Sequence, residues 1–160
     1  MDSLAHSLVF LTAITSALVG GVLFAFSTFV MPALHRLPTA QGVAAMQSIN
    51  VTVFTPWVMV PFVGTAPLLV VAAALVWTTS EPGPRPVETS FAALVYAFGC
   101  LGITRARNVP RNEHLEKLPA ESNEAAEYWA EYVPGWNRWN HARTAACLLA
   151  SALLIRALTA

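Results

Sequence analysis

From Leu8 to Leu34 the chain runs 27 residues without a charge, an amide or a histidine. About 20 apolar residues in an α-helix cross the hydrocarbon core of a bilayer, where no water is present to satisfy stray backbone groups. The run therefore predicts a membrane-spanning helix long enough to tilt or protrude. Val51 to Trp77 is a second uncharged run of 27 residues. It contains Pro56, Pro61 and Pro67, which a membrane tolerates only where neighbours satisfy the carbonyls they free. Between the two, "TAQGVAAMQSIN" (39–50) reads as a short amphipathic helix lying near the interface. The stretch "EPGPRP" (81–86) closes the hairpin with rigid turn chemistry.

The later apolar segments are shorter. Only 16 residues separate Glu88 from Arg105, and only 12 separate Arg143 from Arg156. Runs that short, taken alone, suit buried helices of a soluble protein. Composition decides otherwise: 56% of the chain is hydrophobic and 11% is charged, against about a quarter charged in an ordinary soluble domain. The expectation is an all-α integral membrane four-helix bundle, one domain over residues 1–160. Its spans fall at about 8–34, 54–78, 89–107 and 138–157, with the interfacial helix between the first two. The N-terminal run lacks the basic start of a secretory signal and is too long for one, so it reads as a retained span.

Alternating the spans puts Arg36, Arg105, Arg107, Arg111, Lys117, Arg138 and Arg143 on one side, with only Arg85 and Arg156 on the other. The positive-inside rule makes loops 36–56 and 105–140 cytoplasmic, as expected for a bacterial cytoplasmic membrane. Net charge is zero and no basic run exists, so no nucleic-acid partner is expected. Cys100 and Cys147 sit inside apolar runs and read as small packing residues.

The uncommon polar groups collect on that same side. His35 ends the first span, after Ser27 and Met31 on one helical stripe. Gln47 and Asn50 lie three apart on one face of the interfacial helix. Pro110 is expected to push Val109 out of the helical region and to start a new helix, leaving Asn108 at the break and Asn112 just beyond it. On the fourth span Trp136, Trp139, Asn140 and Arg143 follow the i, i+3, i+4, i+7 spacing, flanked by Asn137, His141 and Thr144. Each has a plain structural reading: tryptophans form interfacial belts, arginines snorkel to headgroups, asparagines cap helices. Eight or more such groups on one side exceed what belts require, because polar groups at membrane depth are costly and mark a pathway or site.

The segments "GVLFAFSTFVMPAL", "AMQSIN", "NVPRN" and "WNRWNHART" resemble, in order and spacing, the anthrone oxygenase family of small membrane proteins. The likeness runs from about Gly20 to Leu149. It implies a four-helix membrane fold and oxidation of anthrones, tricyclic phenolic ketones, to anthraquinones by dioxygen. Such chemistry needs a base, donors for a developing oxyanion and a dry aromatic cleft. On that footing His141 is the expected base, and Arg143, Asn140 and Asn108 hold the oxyanion. Trp136 and Trp139 wall the ring, and Gln47 and Asn50 meet substrate hydroxyls. Asn112, Met31, Ser27 and His35 complete the expected binding set.

No metal or organic cofactor is expected. Copper or haem would require imidazole or thiolate ligands; His35, His114 and His141 could converge at one interface, but they show no ligand spacing. The expected partners are a lipophilic small molecule, dioxygen and membrane lipids. Two other functions suit the same residues: a non-catalytic binder or carrier of a lipophilic molecule, and a structural membrane subunit. Small residues at Gly20–Gly21, 72–74 and 145–152 suit helix packing within one chain or in a homo-oligomer equally well.

Overall fold

A computed structural model describes residues 2–78 and 83–159; Glu81 and Pro82 of the expected turn lie outside the described residues. Among the described residues four helices are long and apolar enough to cross a membrane: Ser3–His35, Pro56–Val76, Pro86–Glu116 and Asn123–Leu158. The first is built from α1 (Asp2–Ala25) and α2 (Met31–His35), the second is α4 (Pro56–Val76) and the third opens with α5 (Pro86–Leu94). The chain is all-α, and helix α3 (Thr39–Thr52) joins the first span to the second, where the interfacial helix was expected.

The third and fourth spans are far longer than the distance between charges implied. The fourth, α7 (Asn123–Leu158), has 36 residues and at 1.5 Å per residue reaches about 54 Å. The segment expected as a loop over 105–140 is mostly helix. These helices continue because their polar ends pack on one another beyond the apolar core.

Prolines explain the continuity. Pro32 and Pro110 each follow a π-helical turn, Phe26–Val30 and Thr104–Asn108. The amides of Met31 and Val109 reach back to the carbonyls of Phe26 and Thr104, five residues earlier. That extra residue relieves the clash between a proline ring and the carbonyl four residues before it. Val109 consequently stays helical, at φ −57° and ψ −49°, contrary to the expectation that Pro110 would expel it. The third span bulges at Asn108 and runs on as α6 (Val109–Glu116). In the second span the Thr65 hydroxyl donates to the Pro61 carbonyl at 2.6 Å and the Tyr96 hydroxyl to that of Phe62 at 2.8 Å. Side chains thus support the carbonyls around prolines 61 and 67.

The bundle holds two apolar cores in series. One gathers Val9, Leu69, Tyr96 and Leu154 from the four spans. The other gathers Met31, Val43, Met46, Leu115, Trp129 and Tyr132, where α3 and α6 pack across the first half of α7. No apolar window is more than 39% buried inside the protein, and outward residues such as Phe10, Val70 and Phe98 are exposed. A surface of that kind is solvated by lipid. At the end carrying the termini, Glu88 pairs with Arg85 at 3.2 Å and Arg156 at 3.8 Å.

Span three approaches span four closely at Gly99. A Cβ added there would lie 2.5 Å from the Ala146 Cβ, whereas one added at Gly21 meets nothing within 4 Å. Gly99→Ala is expected to destabilise by about 1–3 kcal/mol through overpacking, and Gly21→Ala to be neutral or slightly stabilising. Thermal unfolding in detergent checks the pair; equal melting temperatures would show that the bundle gives way at Gly99.

Candidate ligand cavity

A polar layer separates the two cores. Helix α7 carries it, because its inward stripe changes from Trp129, Tyr132 and Val133 to Trp136, Asn140, Arg143 and Thr144 before returning to Cys147, Ala150 and Leu154. The Asn140 amide donates to the Leu23 carbonyl and to Ser27 Oγ. Its Oδ1 accepts from Arg143 Nη2. Arg143 Nη1 donates to Thr104 Oγ1 at 3.0 Å, and the guanidinium lies 5.4 Å from the centre of the Trp136 ring. One buried asparagine and one buried arginine therefore tie spans one, three and four together at the same depth.

Arg143 is only 5% exposed. Among the described residues no carboxylate pairs with it, and its Nε has no hydrogen-bond partner. A buried cation usually has a counter-charge. This one instead lines a cavity of about 830 Å³ between spans one and two, roofed by α3 and α6, a size suited to a small-molecule ligand. The walls are mostly apolar. Leu18, Val22, Val63 and Phe26 line it with the buried Trp136, and Trp57, 90% exposed, faces outward on span two. Asn50 and Asn112 line the cavity on the α3 and α6 side, and Glu113 and Glu116 stand with them. Asn50 Nδ2 is likewise buried without a hydrogen-bond partner. Asn112 Oδ1 accepts from the Tyr132 hydroxyl at 2.8 Å and from Trp136 Nε1 at 3.0 Å. With the oxygen doubly occupied, the amide NH2 is the group Asn112 has left to offer.

Of the residues expected in the site, Arg143, Trp136, Asn50 and Asn112 line this cavity. Asn140 and Ser27 lie directly behind it as Arg143's support. Asn108 is buried and donates to the Trp136 carbonyl at 3.3 Å, with its own Oδ1 unpartnered; it braces the wall without lining it. Gln47 donates to the carbonyls of Leu115 and Leu118, both at 2.9 Å. It thereby satisfies the open C-terminal end of α6. Met31 is buried in the second core.

Three expected residues are elsewhere. At about 100° per residue, Trp139 and Asn140 diverge around α7, and Trp139 lies half-buried beneath Arg107 and Arg138, 4.8 and 5.7 Å from its ring centre. His141 is further round still, on the exposed face and away from the cavity. His35 is exposed at the end of the first span. Among the described residues no three His, Cys, Asp or Glu side chains converge, so His35, His114 and His141 do not form a common centre.

Sequence reasoning overlooked Thr104, Glu113, Glu116 and the start of span two. The i, i+4 and i, i+3 spacings that set Glu116 beside Asn112 and Glu113 were readable, but the extent of the helix expected to start at Pro110 was not.

A family model described as anthrone oxygenase matches residues 61–153. That region includes "NVPRN" and "WNRWNHART", with the greater part of span two and all of span three. No curated protein and no solved structure matches the chain.

Proposed function

The chain belongs to the anthrone oxygenase family, and from that premise we propose that it is a membrane-embedded oxygenase acting with dioxygen on a planar, lipophilic, phenolic ketone. The reaction begins with loss of a proton from the ring methylene flanked by aromatic rings. The resulting enolate is electron-rich enough to pass an electron to dioxygen. Collapse of the radical pair forms a hydroperoxide at that carbon, and loss of water leaves a carbonyl. In sum, CH2 and O2 become C=O and H2O, and the proposed chemistry draws no electron from a resident metal or organic cofactor.

One observation carries this reading: an unpaired, buried arginine at the wall of a mostly apolar cavity. Arg143 and the amides of Asn50 and Asn112 are suited to hold the ketone oxygen as it gains negative charge, an effect strongest where water is excluded. Trp136 and Phe26 flank a flat ring. Asn140, Thr104, Ser27 and Asn108 position Arg143 and Trp136, while Trp139 and His35 play no part in contact with substrate. Substrate and dioxygen both partition into lipid, which suits a cavity walled by outward-facing apolar side chains. The excess of arginine at the α3–α6 end supports an orientation with that end on the cytoplasmic side of a bacterial membrane.

Oxygen uptake by the purified protein with a hydroxylated anthrone tests the proposal. The expected result is uptake above the spontaneous rate, with one dioxygen consumed per quinone formed. Saturable binding with no uptake would replace the oxygenase with a carrier of lipophilic ketones.

A further inference from the structure

Glu113 and Glu116 are three residues apart on α6, so they share the face that carries Asn112 into the cavity. Among the described residues neither carboxylate has a cation within ion-pair distance, although the chain carries nine Lys and Arg residues. Both are exposed. The same cavity is lined by Arg143, a cation 5% exposed whose Nε has no partner. Unpaired charges of opposite sign therefore serve one apolar chamber, the cation at its buried wall and the carboxylates where it meets solvent. His141, the imidazole expected as base, is on the outer face of α7.

We propose that the Glu113–Glu116 pair is the proton acceptor of the cavity. This rests on the oxygenase reading above. In the step, the C–H bond of the ring methylene breaks and the proton passes to a carboxylate oxygen of Glu113 or Glu116. The electron pair stays on the ring as the enolate, whose negative charge falls on the ketone oxygen beside Arg143. A carboxylate is a weaker base than the enolate it generates, and stabilisation of the enolate by the guanidinium offsets that difference. Exposure of both carboxylates lets the proton leave to water before the next turnover, which a base sealed inside the apolar chamber would not permit.

Hydrogen–deuterium exchange at the anthrone methylene, followed without oxygen in deuterated buffer, isolates this step. The wild-type protein is expected to speed exchange above the spontaneous rate. The double variant Glu113→Gln/Glu116→Gln should lose about 10²-fold or more of that acceleration while retaining anthrone affinity, and the two single variants show which carboxylate dominates. Because both side chains are exposed, the variants should keep the wild-type melting temperature. Exchange undiminished in the double variant overturns the proposal, as does exchange that survives there but vanishes in His141→Ala. A wild-type protein that exchanges the methylene yet takes up no oxygen, with the exchange lost in the double variant, would support the carboxylates as base and refute the oxygenase reading alone.

Discussion

Arg143→Met lowers oxygenase turnover by about 10²–10³-fold, the loss expected on removing a principal oxyanion donor from a water-poor site, and leaves the protein at least as stable as the wild type. The two effects have opposite signs because the arginine is arranged for a ligand. Its guanidinium gains bonds from Asn140 Oδ1 and Thr104 Oγ1 and the face of Trp136. Against those stands the desolvation of a cation with no carboxylate partner and an orphaned Nε–H. Removing one member of a buried ion pair destabilises by leaving a charge behind. Here the variant removes the charge itself, and methionine fills much of the volume with a flexible apolar chain. Asn140 keeps its bonds to the Leu23 carbonyl and Ser27 Oγ, so the link between spans one and four survives. Its Oδ1 loses the Arg143 donor, a cost of about 1–3 kcal/mol against the several kcal/mol of desolvating an unpaired cation. Arg143→Lys should recover only part of the rate, because an ammonium cannot reproduce the planar donor set. Kinetics and thermal unfolding on the same preparations check this. Undiminished turnover, or a melting temperature well below wild type, would show that Arg143 is an architectural residue.

The membrane spans were legible because backbone groups in a bilayer leave the chain few alternatives. Uncharged runs fixed four crossings and their alternation. They did not fix where the helices end, since the rule that proline halts a helix assumes regular α geometry. At Pro32 and Pro110 the backbone widens by one residue instead, and composition carries no record of that choice. The consequence reached the site. A helix was expected to start at Pro110, but neither its length nor its continuity with span three was. Glu113 and Glu116 fell within the expected 105–140 loop, although helical phase sets Glu116 beside both Asn112 and Glu113. Phase also explains the two aromatic and imidazole side chains that went elsewhere: the cluster around "WNRWNHART" wraps much of α7's circumference, and only Trp136, Asn140, Arg143 and Thr144 share the inward stripe. The second span's contribution was illegible for a different reason. Its cavity-lining residues, such as Trp57 and Val63, look like any lipid-facing apolar residues until span one is seen to stand apart from them.

Asn112→Leu is expected to be the most damaging single change to the fold. Asn112 Oδ1 is the acceptor for two aromatic donors, Tyr132 Oη and Trp136 Nε1, whose side chains are 1% and 5% exposed. Leucine has the same branching and number of heavy atoms, is bulkier, and removes both bonds at once. Each orphaned donor costs about 1–3 kcal/mol, so the loss amounts to about 2–6 kcal/mol, a large part of the stability of a domain this size. Rotation of Trp136 to find another partner would move the cavity wall and the ring face that meets Arg143. Turnover therefore falls even in the fraction that folds. Asn112→Asp separates the two consequences. A carboxylate oxygen can accept both hydrogen bonds, and Asn112 is only half-buried, so this variant should melt close to wild type. It has no NH2 to offer a ligand, and it sets a negative charge where the ketone oxygen would develop one, so anthrone turnover should fall by about 10²-fold. Melting curves and rates for the two variants distinguish a residue that holds the wall from one that also meets the ligand. An Asp variant with wild-type turnover would confine Asn112 to the wall.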